Sequence, residues 1–205
     1  MIVFAREVFA CVCSTHVADE PRSGDPIPTR VRFRLGTEAD LGGLDPDHHH
    51  KSHVGELRER LLRGERWLLG VLGGRIVTYT WLHTRRRVSY PYLPGCDFEV
   101  ANGVGYGYDA WTPPDLRGGG LRRIAFVEEL RILEALGLGW EASFFVKHQL
   151  EGATRSLARV GISIEPLWRI WLKRGRELGV ERIASRDLVR PCFPSGGAAS
   201  SEDVP

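Results

Sequence analysis

The stretch that decides the fold runs from Val104 to Leu136. It opens with Val104-Gly105-Tyr106-Gly107-Tyr108-Asp109-Ala110-Trp111-Thr112, turns through Pro113-Pro114-Asp115-Leu116-Arg117-Gly118-Gly119-Gly120, and continues from Leu121 with Ile124, Phe126, Val127, Leu130, Leu133 and Leu136 as its apolar positions. The first part reads as a strand, with Gly105 and Gly107 marking a bulge or a close backbone approach. Pro113 and Pro114 end it. The last part is the best helix in the chain, because its apolar residues form a broad stripe at helical spacing. Gly137 is placed to cap it. Between strand and helix lies a glycine-rich turn. A helix N-terminus carries unpaired N–H groups and a partial positive charge. Glycines let an anion reach that backbone, so a phosphate or pyrophosphate fits. Arg117, Arg122 and Arg123 add cations. Two other phosphate-binding patterns fail. Gly103-Val104-Gly105-Tyr106-Gly107 lacks the spacing of a dinucleotide-binding turn and no helix follows it directly, and no Lys-Ser/Thr follows Gly120 as a Walker loop needs.

Downstream, Trp140 to Val146 reads as a strand, Ala153 to Val160 as a short helix ended by Gly161, and Ile162 to Leu172 as a strand interrupted by Pro166. Pro194 to Pro205 is small and polar and reads as a disordered tail. Upstream, Ile2 to Cys13 and Val31 to Leu35 read as strands, separated by a proline-containing loop over 14–29. Thr37 is an N-cap for a short helix. His53 to Arg63 has helical spacing. Trp67–Leu72 and Arg75–Leu82 flank Gly73-Gly74 as a hairpin. Thr84 to Cys96 reads as a surface loop, and Phe98 to Val100 as a short strand. The order predicts one α/β (α+β) domain over 1–193. Its centre is a mixed, mostly antiparallel sheet of about six or seven strands flanked by helices.

The 205 residues suffice for one large domain, and the net charge of +2 does not point to nucleic acid. Arginine supplies 25 of the 28 basic residues, which a compositional bias explains. Cys11, Cys13, Cys96 and Cys192 have no zinc spacing and read as reduced thiols of a cytoplasmic chain. No stretch has the length of a membrane span.

The segment Thr112-Pro113-Pro114-Asp115-Leu116-Arg117-Gly118-Gly119-Gly120-Leu121 resembles the signature of the GCN5-related N-acetyltransferases. That signature is a small residue, any residue, Pro, two more, then Arg-Gly-any-Gly-aliphatic. The helix length, the next strand and the ending Ala158-Arg159-Val160-Gly161-Ile162 are similar too. The order of elements follows that family over about 30–172, and motifs carry the resemblance over 104–162. It implies acetyl-CoA or another acyl-CoA as co-substrate, held by Ala110, Trp111, Thr112, Arg117, Gly118, Gly119, Gly120, Leu121 and Arg122. It also implies direct attack on the thioester by an amine of a small molecule or peptide, with no metal. A general base near the acetyl group is then needed, and Glu99 and Asp109 are the candidates. A backbone N–H within Asp109 to Thr112 would hold the oxyanion.

The chain departs from that signature at three positions. Arg122 stands where the family has Gly or Ala, and either blocks the pyrophosphate or pairs with it. Leu150 replaces a frequent Asn, and Leu157 replaces the Tyr that serves as general acid. Tyr108, Tyr106 or Tyr90 would have to supply that proton. The substitutions keep open a non-catalytic acyl-CoA-binding or sensing domain, and a sugar-amine or cell-envelope acyltransferase is the other alternative. A homodimer is left open.

Other constellations are weaker. His49 and His53 have metal-ligand spacing within Asp47-His48-His49-His50-Lys51-Ser52-His53, but no second cluster completes a site, so a solvated helix start is the simpler reading. Arg85-Arg86-Arg87 reads as a solvated turn. On the last strand Trp168, Ile170 and Leu172 alternate with Arg169, Trp171 and Lys173, so one face is buried, and Trp168 and Trp171 are placed to line the acceptor cleft.

Overall fold

The computed structural model describes residues 6–16, 30–44, 54–89, 97–173 and 176–192. Among these residues eleven strands and three α-helices form in the order β1 (Arg6–Ser14), β2 (Arg32–Leu35), α1 (Val54–Leu62), β3 (Arg66–Leu72), β4 (Arg75–His83), β5 (Arg87–Ser89), β6 (Asp97–Val100), β7 (Val104–Trp111), α2 (Leu121–Ala135), β8 (Trp140–Val146), α3 (Lys147–Ala158), β9 (Glu165–Lys173), β10 (Arg176–Arg182) and β11 (Val189–Cys192). Short 3-10 turns cover Glu38–Gly43 and Pro114–Leu116.

The central sheet has eight strands in the order β10-β9-β1-β8-β7-β4-β3-β2. Every pairing is antiparallel except β7 with β8. The expected mixed, mostly antiparallel sheet is therefore present, with one strand more than the expected range. The strand that the sequence reading lacks is β10, at one edge, whereas β1, read as a strand from Ile2 to Cys13, enters the middle of the sheet between β8 and β9. Its composition suits that place. Val8, Ala10 and Val12 are buried on one face and Cys11 and Cys13 on the other, as a strand covered on both sides requires. Burial pushes both thiols above their ordinary pKa, so they are packing groups rather than nucleophiles.

The two faces carry different layers. On one, α2 and α3 cover the sheet through Phe126, Val127, Leu130 and Leu157, which pack with Cys11, Cys13, Ile162 and Ile164. On the other, a three-stranded sheet ordered β11-β6-β5 places Val88, Phe98, Val100 and Val189 against Val8, Val12, Tyr106 and Ile170. Trp168 Nε1 donates to the Val189 carbonyl at 2.6 Å and ties the two sheets. Further along that face, α1 and the first 3-10 turn pack Leu41 and Leu57 against the stacked rings of Trp67 and Trp81, whose centroids are 5.3 Å apart.

Several boundaries differ from the sequence reading. Arg87–Ser89, read as loop, pairs with β6. Helix α3 begins at Lys147, directly after β8, rather than at Ala153. Strands β10 and β11 were not anticipated. Pro166 is tolerated because it faces Cys11 at a register shift of the β1·β9 ladder and lies beyond the last β9·β10 pair, Trp168 with Arg182. The loop 17–29, the histidines 48–50 and 53, Tyr90, Cys96 and the tail 194–205 lie outside the described residues.

Candidate functional site

The parallel strands β7 and β8 pair only at Val104–Tyr106 opposite Trp140–Ala142. Beyond those residues β7 continues to Trp111 beside β4, and β8 continues to Val146 beside β1. The two strands therefore part, and the sheet opens into a V at their C-terminal ends. A bulge bends β7 there: Trp81 faces Tyr108 and Tyr79 faces Trp111, so one extra residue is accommodated. Asp109 takes it up with φ of 52°, a conformation that Asp and Asn tolerate better than most side chains.

After Pro113 the chain makes a 3-10 turn and reaches the glycines. Gly118 and Gly120 have φ of 86° and 79°, which explains why glycine is needed at both. Gly118 and Gly119 are exposed. The amides of Gly118, Gly119, Gly120, Leu121 and Arg122 donate to no backbone carbonyl among the described residues. Arg117 Nε donates to the Thr112 carbonyl at 2.9 Å and closes the loop on itself. The turn thus sets a run of N–H groups without a backbone acceptor, exposed at Gly118 and Gly119, at the start of a 15-residue helix, a backbone cradle of the kind that takes anions. This geometry fits a diphosphate. It also answers the alternative posed by Arg122, whose side chain turns inward to Glu129 and does not plug the turn.

The acid–base candidates do not converge. The Asp109 side chain is largely enclosed, and its Oδ2 accepts from Arg60 Nη1 at 2.7 Å. Arg60 is itself buried, donates to Glu56 Oε1 at 2.7 Å, and lies over the rings of Trp81 and Tyr108. Tyr108 donates its hydroxyl to Glu65, and burial pushes its pKa up, so it keeps its proton. His83 packs edge-on to Tyr106 and Tyr108. Its Nδ1 accepts from the Arg85 amide at 3.2 Å, and burial lowers its pKa to about 4, so it is neutral. Glu99 lies on β6 in the other sheet, exposed between Arg87 and Arg190. It lines a cleft of about 140 Å³ with Arg86, Asp187 and Arg190. Leu157, at the position of the missing Tyr, is buried in the core beneath α2 and α3.

Sequence reasoning missed Arg60, Glu65, Glu129 and Glu141. Glu129 was the most legible of these. It lies seven residues after Arg122 on the same helix face and interrupts the apolar stripe. Glu141 shares its face of β8 with Ser143 and is fully buried beside Glu129. The two glycines of β7 leave the space. A methyl group on Gly105 would meet Leu133 at 2.5 Å, and one on Gly107 would meet Glu141 Oε1 at 2.1 Å.

An acetyltransferase of the GNAT family from Colwellia psychrerythraea aligns with this architecture at a TM-score of 0.51, over 81% of this chain and 56% of that one, at 9% identity. The fold is that of the GCN5-related N-acetyltransferases. This GNAT-fold chain spans little more than half the length of the Colwellia protein. A GCN5-related N-acetyltransferase from Sphaerobacter thermophilus aligns at a TM-score of 0.46 and 15% identity, over 87% of this chain and 52% of its own. A ribosomal-protein-alanine N-acetyltransferase from Brucella melitensis aligns at 0.45 and 15%, over 80% and 99%. No protein-family profile matches the sequence, and no curated protein does. Among the described residues no helix is long and apolar enough to cross a membrane, and no cluster of three or more His, Cys, Asp or Glu forms a metal site.

Proposed function

We propose that this chain is an acyl-CoA-dependent N-acyltransferase that moves an acyl group, acetyl in the simplest case, to an amine. The observation that supports it most is the coincidence of two features: the V between β7 and β8, and the row of unpaired amides from Gly118 to Arg122 above its open end. The amides of Gly118, Gly119, Gly120, Leu121 and Arg122 hold the diphosphate, with Arg117 beside them. Ala110, Trp111 and Thr112 border the slot for the arm that carries the thioester. When bound, the acyl-CoA supplies an activated carbonyl for an amine to attack.

The chain's own groups prepare that attack in separate ways. The bulge at Asp109 frees β7 from regular pairing at Ala110, so an amide within Asp109–Thr112 is available to a developing oxyanion. Tyr108 keeps its proton and suits the role of donor, with Glu65 fixing its hydroxyl. Asp109 is engaged by Arg60 and is a poor base. Glu99, on the other sheet, is the poorer of the two. The burial of Leu157 where the family carries its acid favours a second reading, a domain that binds acyl-CoA without turning it over.

Thermal unfolding with acetyl-CoA tests the reading. Ligand at 100-fold over its Kd is expected to add about 2.7 kcal/mol to the folding free energy. Gly120→Glu should abolish the shift, because it sets a carboxylate and a strained φ of 79° into the turn, and should cost only about 1 kcal/mol in stability without ligand. A parent chain that shows no shift at millimolar acetyl-CoA would remove the proposal. Binding without turnover across a panel of amines would select the second reading.

A further inference from the structure

Arg122 is the second residue of α2, and its amide belongs to the turn assigned above to the diphosphate. Its guanidinium points the other way. Both terminal nitrogens donate to Glu129, Nη2 to Oε2 at 3.3 Å, and the group lies over the Phe126 ring. The Arg122 side chain keeps 38% of its surface exposed, whereas Glu129 keeps none. Arg122 therefore spans the distance from solvent to a fully enclosed carboxylate.

A second acid stands behind the first. Glu141 on β8 accepts from Ser143 Oγ at 2.9 Å, and its Oε2 is buried without a hydrogen-bond partner. The two carboxyls converge on Gly107, where a methyl group would meet Glu141 Oε1 at 2.1 Å and Glu129 Oε2 at 3.4 Å. The remaining neighbours carry no charge. Strand β1 presents Cys13, a thiol held protonated by burial and by both acids, and Cys11 beside it. Strand β4 presents Thr80, which hydrogen-bonds Glu129, and β7 presents only Gly105 and Gly107. One guanidinium thus faces two carboxyls. Two carboxylates this close and this dry do not both ionise, and burial raises both pKa values. The cluster is then neutral overall as Arg122⁺, one carboxylate and one carboxylic acid.

We propose that Arg122 is a proton-coupled positioning residue: when the diphosphate reaches the turn, Arg122 exchanges Glu129 for the phosphate oxygens and the Glu129–Glu141 pair takes one proton from solvent. The inference rests on the coenzyme reading above. Its physical basis is the charge of the interior. Were the guanidinium to leave alone, it would abandon a buried carboxylate, which is strongly unfavourable. If a proton arrives as it leaves, the interior is neutral both before and after, and the one bond made is the O–H of the second carboxylic acid, whose proton comes from solvent. The exposed stem of Arg122 and its place in the first turn put the exchange within reach of a side-chain rotation.

Isothermal titration of acetyl-coenzyme A near pH 7.5, in buffers of different ionisation enthalpy, counts the protons. The full-length parent chain should take up about 0.5–1 proton per coenzyme bound, since a buried glutamate without its cation titrates up to 3–5 units above normal. The isosteric Glu129→Gln removes the acceptor, and Arg122→Ala leaves Glu129 already protonated. Each should bind with a proton count near zero, and Glu129→Gln should bind more tightly than the parent. Equal proton counts in all three, with binding intact, overturn the exchange and leave Arg122 a fixed internal ion pair while the coenzyme reading stands. No binding by any of them removes the coenzyme reading and this inference with it.

Discussion

Arg60→Met is expected to lower the unfolding free energy by about 3–5 kcal/mol, the range for deleting one member of a buried ion pair. Methionine keeps most of the aliphatic volume, so the loss reports charge and hydrogen bonding rather than a cavity. The guanidinium sits among four groups at once. It donates to the largely enclosed Asp109 side chain and to Glu56, and lies 5.3 Å from the Trp81 ring centroid and 5.0 Å from that of Tyr108. Its removal deprives the Asp109 carboxylate, with 8% side-chain exposure, of the Arg60 guanidinium. Asp109 is also the one described non-glycine residue with positive φ, a conformation that costs about 1–3 kcal/mol and persists only when the surroundings impose it. Arg60 is one of the groups that hold it, so the bulge in β7 should relax when the guanidinium is removed. Urea unfolding of the parent and Arg60→Met, with the m-value checked for a change in the denatured state, gives the number. A loss below 1 kcal/mol would mean that the bulge holds itself and that Arg60 is incidental.

The same pair shows how far the sequence could be read. Asp109 was picked out as a base because it sits at the end of a glycine-marked strand ahead of an anion-binding turn. Asp109 does lie near the end of β7, ahead of the glycine turn. Its partner was invisible, because Arg60 lies 49 residues away on a helix whose other arginine, Arg58, and the following Arg63 look no different in sequence. Long-range pairing of like residues carries no local signal. Local chemistry did: Gly73-Gly74 between two apolar runs gave the β3–β4 hairpin, and the apolar stripe with Gly137 gave α2. The turn at Gly118–Gly120 was legible for the same reason, since only glycine adopts φ near 80° freely at two nearby positions.

Where the reading fell short, the cause was also physical. The position of β1 depends on pairing with strands more than a hundred residues downstream, and a run such as Val8 to Cys13 says only that both faces are covered. The start of α3 at Lys147 was missed because Val146 supplies no side-chain cap, and the helix is held by packing through Leu157 rather than by a start signal. Glu99 was attractive as an acid near β7 in the chain. Its strand instead pairs with β5 and β11 on the far layer, which nearness in sequence does not reveal. The departures at Arg122 and Leu157, by contrast, were visible beforehand, and the structure gives each a use inside the protein: a counter-ion for Glu129 and a core side chain.

Those internal uses lead to the second large effect, the response of Glu141 to pH. Its carboxyl is raised well above the ordinary value, first by burial and then by Glu129, with Ser143 and Arg122 opposing. The folded state therefore binds this proton more tightly than the unfolded chain does. The stabilisation is complete below the unfolded pKa, near 4.5, and is lost as pH rises toward the folded value, at about 1.4 kcal/mol per pH unit for one proton. Glu141→Gln keeps the shape and fixes the neutral form. It should match the parent near pH 5, less about 1 kcal/mol for an amide N–H left unsatisfied. It should then overtake the parent as pH rises, so that the two stability curves cross between pH 5 and the alkaline limb. Thermal unfolding of both proteins at half-unit steps from pH 5 to pH 9 would show the crossing. Parallel curves would mean that Glu141 is ionised in the folded protein at neutral pH. The carboxyl that Gly107 makes room for would then be a stable anion balanced by Arg122, and the proton shared beneath α2 would not exist.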